Sequence, residues 1–302
     1  MISVIIPHYN QPEHLLRCLA SLVGQKPHGH DVEIIVVDNG SESMPEAEVA
    51  AYPGVILDKE TTPGPGPARN HGVLLSKGEI LAFIDADCVA DDGWLEAIAA
   101  RFGSDPQAVI LGGDVQILHE DPARPTAIEA FEAEFGYRME HYIKRNNYTG
   151  TGNLAIRREV FLDVGDFIGM GVAEDRDWGL RAFAKGYRTM WEPNMLAFHP
   201  ARGNFAELAR KWDRHVAHEF EAILKRRFGR LRWILRTLVV AASPVGQVPR
   251  VMRSKRILGG LRARLLALVA LVRIRLYRVG LMIPLIFARD AMGLANRWRA
   301  KE

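Results

Sequence analysis

Asp85 and Asp87 flank Ala86 directly after the apolar run Ile80-Leu81-Ala82-Phe83-Ile84. Carboxylates so spaced can hold Mg2+ or Mn2+, hard cations that prefer oxygen ligands. A nucleotide diphosphate would bring further oxygens, and the cation would then neutralise charge on the departing diphosphate. An Asp-x-Asp triplet alone is commonly a solvated loop, and its place after a strand is what raises it. A second arrangement is Thr62-Pro63-Gly64-Pro65-Gly66-Pro67, opening into Ala68-Arg69-Asn70. Glycines let backbone approach a ligand, and a helix start offers N–H groups to anions. Arg69 could reach a phosphate or a base there, or be a solvated surface arginine. A third is Glu174-Asp175-Arg176-Asp177-Trp178. A carboxylate at a helix start is ordinarily a cap. Gly169-Met170-Gly171 just before it predicts a pliable loop suited to an acceptor pocket, where a carboxylate could act as general base. A lone histidine, here His199 before Pro200, is ordinarily structural; it could also be a further metal ligand.

These residues need elements to position them. Ser3–Pro7, Val32–Val37, Val55–Leu57 and Ile80–Ile84 read as buried strands. Residues 13–23, 68–76 and 93–102 read as helices between them, and 62–67 as a loop without regular structure. Farther on, 109–117 and 153–156 read as strands, and 127–142 and 175–185 as helices. Strands alternating with helices predict an α/β fold, a Rossmann-like, mostly parallel sheet flanked by helices. Ligands in such sheets sit beyond the carboxyl ends of the strands. The polar clusters at Asp38 and at Asp85–Asp87 each follow a strand, so they should converge on one crevice.

The net charge of +3 conceals a division. Residues 1–201 carry 16 Lys+Arg and 30 Asp+Glu, a net of −14, and the remainder carries +17. Such a split suggests two jobs. The chain should divide into an α/β domain over 1–203 and a basic helical extension over 204–302. Pro244 and Pro249 should break that extension into pieces, and no stretch in it has the length and apolarity of a spanning helix. From Leu258 onward, Leu261, Leu265, Leu268, Val269, Val272, Leu276, Val279 and Ile283 join an apolar stripe. Arg262 and Arg273 border one side of it, and Arg264, Arg275 and Arg278 the other. That pattern suits an amphipathic helix lying on an anionic membrane surface; the alternative is packing on the chain's own acidic half. Two distant cysteines, Cys18 and Cys88, predict neither a disulfide framework nor a zinc site. The first residues carry no basic stretch before an apolar one, so no secretory signal is expected.

Taken in order, Val4–Asn10, Asp38-Asn39-Gly40-Ser41, Pro65–Asn70, Ala82–Asp87, Thr151–Arg158 and Glu174-Asp175 resemble the family-two glycosyltransferases of the GT-A fold. The resemblance covers about residues 1–200 and implies that 1–203 is the catalytic domain, with a nucleotide-sugar half over about 1–103 and an acceptor half over about 104–203. It implies an inverting transfer from a nucleotide-diphosphate sugar, UDP-sugar favoured, with Mn2+ or Mg2+ as cofactor. It puts Pro7, Tyr9, Asp38, Arg69, Asp85 and Ala86 at the nucleotide sugar, Asp38 reading a pyrimidine base. It makes Asp87 the direct metal ligand, with Asp85 and His199 beside it. It makes Asp175 the base with Glu174 next to it, and puts Gly152, Asn153 and Trp178 at the acceptor. The acceptor it suggests is a glycan or lipid-linked molecule of the cell envelope, handled at the cytoplasmic face of the membrane.

The sequence departs from the family in places. Asp38-Asn39 stands where paired acids are commoner, and Gly165-Asp166-Phe167 where Gly-Gly-Phe is usual. The Gln-x-x-Arg-Trp motif of processive synthases is absent, Ala209-Arg210-Lys211-Trp212 being only a partial echo, so one sugar per encounter is expected. A sugar nucleotidyltransferase would want a glycine-rich basic loop after the first strand, where Pro7-His8-Tyr9-Asn10 stands. A non-catalytic nucleotide- or glycan-binding scaffold is disfavoured by intact Asp87 and Asp175. Nucleic acid is the least expected partner, because the tail arginines border an apolar stripe rather than forming a solvated face.

Overall fold

Short β-branched runs build the sheet, and their order in the chain is β1 (Ile2–His8), β2 (Val32–Asp38), β3 (Val55–Lys59) and β4 (Ile80–Ile84). Between them lie helices α1 (Pro12–Leu22), α2 (Glu46–Ala50) and α3 (Pro65–Leu75). The computed structural model describes residues 1–169, 173–288 and 290. β5 (Val89–Ala90), α4 (Trp94–Ser104) and β6 (Ile110–Leu118) follow, then α5 (Ala127–Phe135) and α6 (Met139–Asn146). β7 (Asn153–Arg157), α7 (Arg158–Val164), α8 (Glu174–Ala184) and β8 (Thr189–Pro200) come next, and α9 (Phe205–Leu224), α10 (Gly229–Arg253) and α11 (Gly260–Leu285) after them.

The described residues form one eight-stranded sheet, ordered β3-β2-β1-β4-β7-β6-β8-β5. β3, β2, β1 and β4 are parallel, as the alternating pattern predicts. β7 runs antiparallel to both β4 and β6, so the second half is mixed. Strands covered on both faces alternate which side each residue serves. Val4, Ile6, Val36, Ala82 and Ile84 join one core with α1 and α4. Ile5, Leu81 and Phe83 join the other with Phe161 and Trp178.

Several boundaries differ from expectation, each for a local reason. α3 begins at Pro65, inside the run expected as a loop, because proline at the first helical position forfeits only an N–H that has no intrahelical partner anyway. The helix expected over 127–142 is two, α5 and α6, separated at Gly136-Tyr137-Arg138. β8 was hidden by Pro193 and Asn194. The ladder skips there, Gly113 pairing with Glu192 and Asp114 with Leu196, so a bulge absorbs the proline. α10 runs unbroken through Pro244 and Pro249.

The chain divides into two compact units, one of residues 1–118 and 138–200, the other of 119–137 and 201–302. The first contains the sheet. In the second, Thr126 and Glu129 form a capping box that starts α5. Glu132 and Glu134 of α5 pair with Arg202 and Arg250, which uses part of the basic surplus inside the unit. α11 buries Ala263, Ala267, Ala270, Leu271 and Ile274. Most of its apolar stripe faces outward, Leu261 being 60% and Leu276 66% exposed, while Leu268 and Val279 of the expected stripe pack inward. Arg278, expected on the stripe's polar border, is 2% exposed and belongs to the buried side. No helix among the described residues is long and apolar enough to cross a membrane.

Candidate active site

Parallel pairing brings the carboxyl ends of β1, β2 and β4 to one edge, with His8 opposite Asp38. Asp38 does not face outward. One of its oxygens accepts from the Gly40 and Ser41 N–H groups at 3.1 and 3.0 Å. The other meets Ser41 Oγ at 2.5 Å and His8 Nδ1 at 2.9 Å. Burial acts to raise this carboxyl, and the Ser41 and His8 contacts outweigh it, holding it below its usual value. A fully enclosed carboxylate with both oxygens occupied shapes the loop and has no face for a base, contrary to the expected base-reading role. Asn39 beside it donates to Glu60 and Thr62 carbonyls and accepts from Gly64 N–H, fastening the Pro/Gly run. Tyr9 is exposed and Pro7 half-buried on the same edge. The Ala86 side chain lies in the core, leaving only its main chain for a nucleotide.

Arg69 is the hub. It is 2% exposed, and its Nη2 donates to Asp85 at 2.6 Å while Nη1 donates to Glu174 at 3.2 Å. Its guanidinium is thus committed to two carboxylates rather than offered to a phosphate. Asp85, expected among the metal ligands, turns toward Arg69. Gly152 lies against it: a Cβ at 152 would stand 2.4 Å from Asp85 Oδ2, so this glycine makes room for the carboxylate. Asp87 instead meets Nε2 of His199 at 3.2 Å. Burial acts to raise Asp87, and His199 outweighs it, leaving the carboxyl below its usual value. Nδ1 of His199 lies 2.6 Å from the Pro200 carbonyl. With Nδ1 donating there, Nε2 faces Asp87; burial acts to lower His199, and the hydrogen bond and charge of Asp87 outweigh it, holding the ring above its usual value. Nε2 can therefore ligate a cation only on giving up the proton it shares with Asp87, Nδ1 donation being the usual arrangement of a ligating histidine. Among the described residues no three His, Cys, Asp or Glu side chains already surround a cation-sized position. The Asp87–His199 pair therefore fits a divalent cation only with ligand oxygens completing the shell.

α8 carries Glu174 and Asp175 in its first turn. The Arg176 N–H donates to Asp175 at 2.6 Å. Burial raises the Asp175 carboxyl above its usual value, and the charges of Glu174 and Asp85 add to the rise. Asp87 and Asp175 are thus pushed in opposite directions. One stays ionised, and the other is readier to take a proton. Met170 and Gly171 of the expected pliable loop lie outside the described residues.

Asn153 and Trp178, expected at the acceptor, are structural. Asn153 accepts from Trp94 Nε1 at 2.8 Å and donates to the Asp114 and Met195 carbonyls at 2.7 and 2.8 Å. Trp178 is buried against Phe161 and Phe167 and donates to the Gly165 carbonyl at 2.8 Å. The sequence reading missed Tyr142 and Tyr148, half-buried rings stacked 5.7 Å apart and 5° from parallel. Burial raises both hydroxyls, and the charge of Asp175 raises them further. The signal was a Tyr-x5-Tyr spacing across a helix end, which has no standard meaning. Asn70 and Phe167 exchange two hydrogen bonds, 2.8 and 2.9 Å, that tie α3 to the segment before α8.

A family model described as glycosyl transferase family 2 matches residues 3–165, more than half of the chain and most of the sheet. The chain belongs to glycosyl transferase family 2. This family member is 33% identical over 247 residues to glycosyltransferase AglE of Haloferax volcanii, covering 78% of this chain and 80% of that protein. It is 29% identical to the pre-mycofactocin glycosyltransferase of Mycobacterium tuberculosis over 70% of this chain and 45% of that one. Among solved structures, a mannosyltransferase from Pyrobaculum calidifontis, in complex with GDP-Man and Mn2+, superposes with a TM-score of 0.57 at 21% identity. That match covers 100% of this chain and 88% of the other. Glucosyl-3-phosphoglycerate synthase from Mycobacterium tuberculosis, solved with Mn2+, UDP and phosphoglyceric acid, gives 0.51 at 19% identity over 70% of this chain and 74% of its own. The fold is GT-A, and the protein is a glycosyltransferase.

Proposed function

We propose that this family-two enzyme transfers a sugar, with inversion, from a nucleoside diphosphate donor to a hydroxyl of a glycan or lipid-linked acceptor. The observation that carries the reading is the division of four carboxylates by Arg69. Asp85 and Glu174 are paired with the guanidinium, and Asp87 and Asp175 remain for chemistry. Asp175 takes the acceptor proton as that oxygen attacks the anomeric carbon. The bond from the anomeric carbon to the diphosphate breaks in the same displacement, and its electron pair leaves with the diphosphate. Asp87 and His199 would hold Mn2+ or Mg2+, which supplies charge neutralisation at the diphosphate when bound. Asp85, oriented by Arg69, is positioned to accept from a sugar hydroxyl of the donor. Tyr142 and Tyr148 offer a stacked aromatic wall beside the base, suited to the apolar face of an acceptor sugar.

The second unit supports a peripheral position at the cytoplasmic face of a membrane. α10 and α11 turn Leu235, Leu238, Val239, Leu261 and Leu276 outward. Exposed Arg232, Arg262 and Arg273 accompany them, a pairing that complements an anionic bilayer surface. A place in envelope glycan assembly follows from that location.

The deciding experiment is a calorimetric titration of UDP, GDP and dTDP with and without Mn2+. Metal-dependent binding of one of them, with UDP expected first, and its loss in Asp87→Ala would support the reading. Equal binding in the presence of chelator would remove the metal from it. No binding of any nucleotide would remove the donor class.

A further inference from the structure

The second unit contains an arrangement that sugar transfer does not use. Glu219 of α9 receives two guanidiniums: Arg236 Nε of α10 at 2.6 Å and Arg278 Nη2 of α11 at 3.3 Å. Arg275, one turn before Arg278 and half-buried, adds a third charge. Both of the latter lie over the ring of Trp212 of α9, the Arg278 guanidinium 4.0 Å and that of Arg275 5.9 Å from its centre. Among the described residues, three cations thus share one anion. Burial, with the charge of Arg275 adding to it, lowers Arg278 to about 10.

Donors are also left over. Trp212 Nε1, Arg275 Nε and Arg278 Nε are buried and find no acceptor among the described residues. Buried guanidiniums are ordinarily matched by carboxylates, and buried N–H groups by acceptors. A surplus of about two charges and three unmatched donors on adjoining residues is the complement of an oxyanion. Guanidinium forks suit phosphate oxygens in particular.

We propose that Trp212, Arg236, Arg275 and Arg278 form a binding site for a phosphate group, taken from a lipid headgroup. The source follows from the same helices. Leu238 and Val239 follow Arg236 on α10, Val272 and Leu276 flank Arg275 on α11, and all four are exposed. A phosphate reached from an apolar surface of this kind is one that carries acyl or prenyl chains. The site is independent of the transfer chemistry proposed above and deepens only the membrane part of that reading.

The test is co-sedimentation of the whole protein with phosphatidylcholine vesicles, pure or with one part in three of phosphatidic acid. Arg275→Gln is compared with Arg262→Gln, which removes an equal charge from an exposed position of the same helix. Loss of a diffuse surface charge weakens partition about fivefold. Arg275→Gln is expected to weaken it about thirtyfold, the charge and the hydrogen-bonded contact being lost together. Equal losses for the two variants overturn the lipid headgroup as the source of the phosphate and leave only diffuse attraction to the membrane. In parallel, melting is followed against inorganic phosphate in the presence of chelator. A rise in melting temperature for wild type but not for Arg275→Gln, with vesicle binding unchanged, keeps the phosphate site and reassigns its source to a soluble anion. No difference between the variants in either assay refutes the site. Asp87→Ala should behave as wild type in both assays and Arg275→Gln should bind nucleotide normally, so failure here is separable from failure of the donor reading.

Discussion

Arg69 and Glu174 are 105 residues apart in the chain and 3.2 Å apart in the fold. Through that contact α3 holds α8, whose first turn carries the proposed base. The same guanidinium holds Asp85 at 2.6 Å. Arg69→Lys keeps the charge but not the two-pronged geometry. It is expected to lower kcat/KM about a hundredfold, with a melting temperature near wild type. Steady-state kinetics check this, and unchanged kcat/KM would remove Arg69 as the organiser.

Asp175→Asn should bind nucleotide as wild type does and transfer no sugar. The pH dependence carries more information. The carboxyl is raised in the folded state, so kcat should fall with acid at a pH above the ordinary carboxylate range. Its stability effect has the opposite sign. A raised carboxyl favours the fold below its unfolded value, and that contribution is lost as pH rises through the folded value. Asp175→Asn should therefore melt higher than wild type near neutrality, and the difference should shrink on acidification. Melting curves at several pH values measure this, and a lower melting temperature for the variant at neutral pH would contradict it.

His199→Ala should weaken Mn2+ binding about tenfold or more while leaving the fold intact. Titration with Mn2+ in the presence of the diphosphate reads this directly. An unchanged Mn2+ affinity would leave His199 a structural partner of Asp87.

Asn153→Ala and Trp178→Phe separate structure from acceptor recognition. Asn153 satisfies three buried polar groups, so its loss should cost about 2–4 kcal/mol with acceptor KM unchanged. Trp178→Phe loses one buried hydrogen bond and some ring volume, about 1–2 kcal/mol. Denaturant melts and acceptor kinetics on the same preparations check both.

Tyr148→Ala should raise acceptor KM about tenfold, the worth of one aromatic platform, and leave donor binding unaltered. A change confined to kcat would instead link the ring to the chemistry of Asp175.

The parallel half of the sheet was legible in the sequence because Val4–Ile6, Val32–Val37 and Ile80–Ile84 are continuous apolar runs with polar ends. Parallel strands oblige those ends to meet, so the convergence of Asp85–Asp87 with the end of β2 needed no coordinates. β8 was not legible, because Pro193 and Asn194 signal a turn unless the partner strand can absorb a bulge. The candidate site was legible by residue type more than by role. Asp38, Asn153 and Trp178 were found by motif and assigned to ligands. Whether a polar side chain meets a ligand or the protein depends on which neighbours fill its hydrogen bonds, and those come from 30, 59 and 13 residues away. His8 was passed over for the same reason, since nothing near it in sequence reveals its partner across β2.

Gly66 touches the segment before α8 so closely that a Cβ there would stand 2.3 Å from the Ile168 carbonyl. Together with the Asn70–Phe167 pair, this joins the start of α3 and the segment before α8 into one mechanical piece. A donor that draws Asp85 away from Arg69 would alter the anchor of Glu174 at the same moment. If the proposed donor site is correct, binding there would be felt at the proposed base through Arg69, and donor-first binding is the kinetic order this construction would favour.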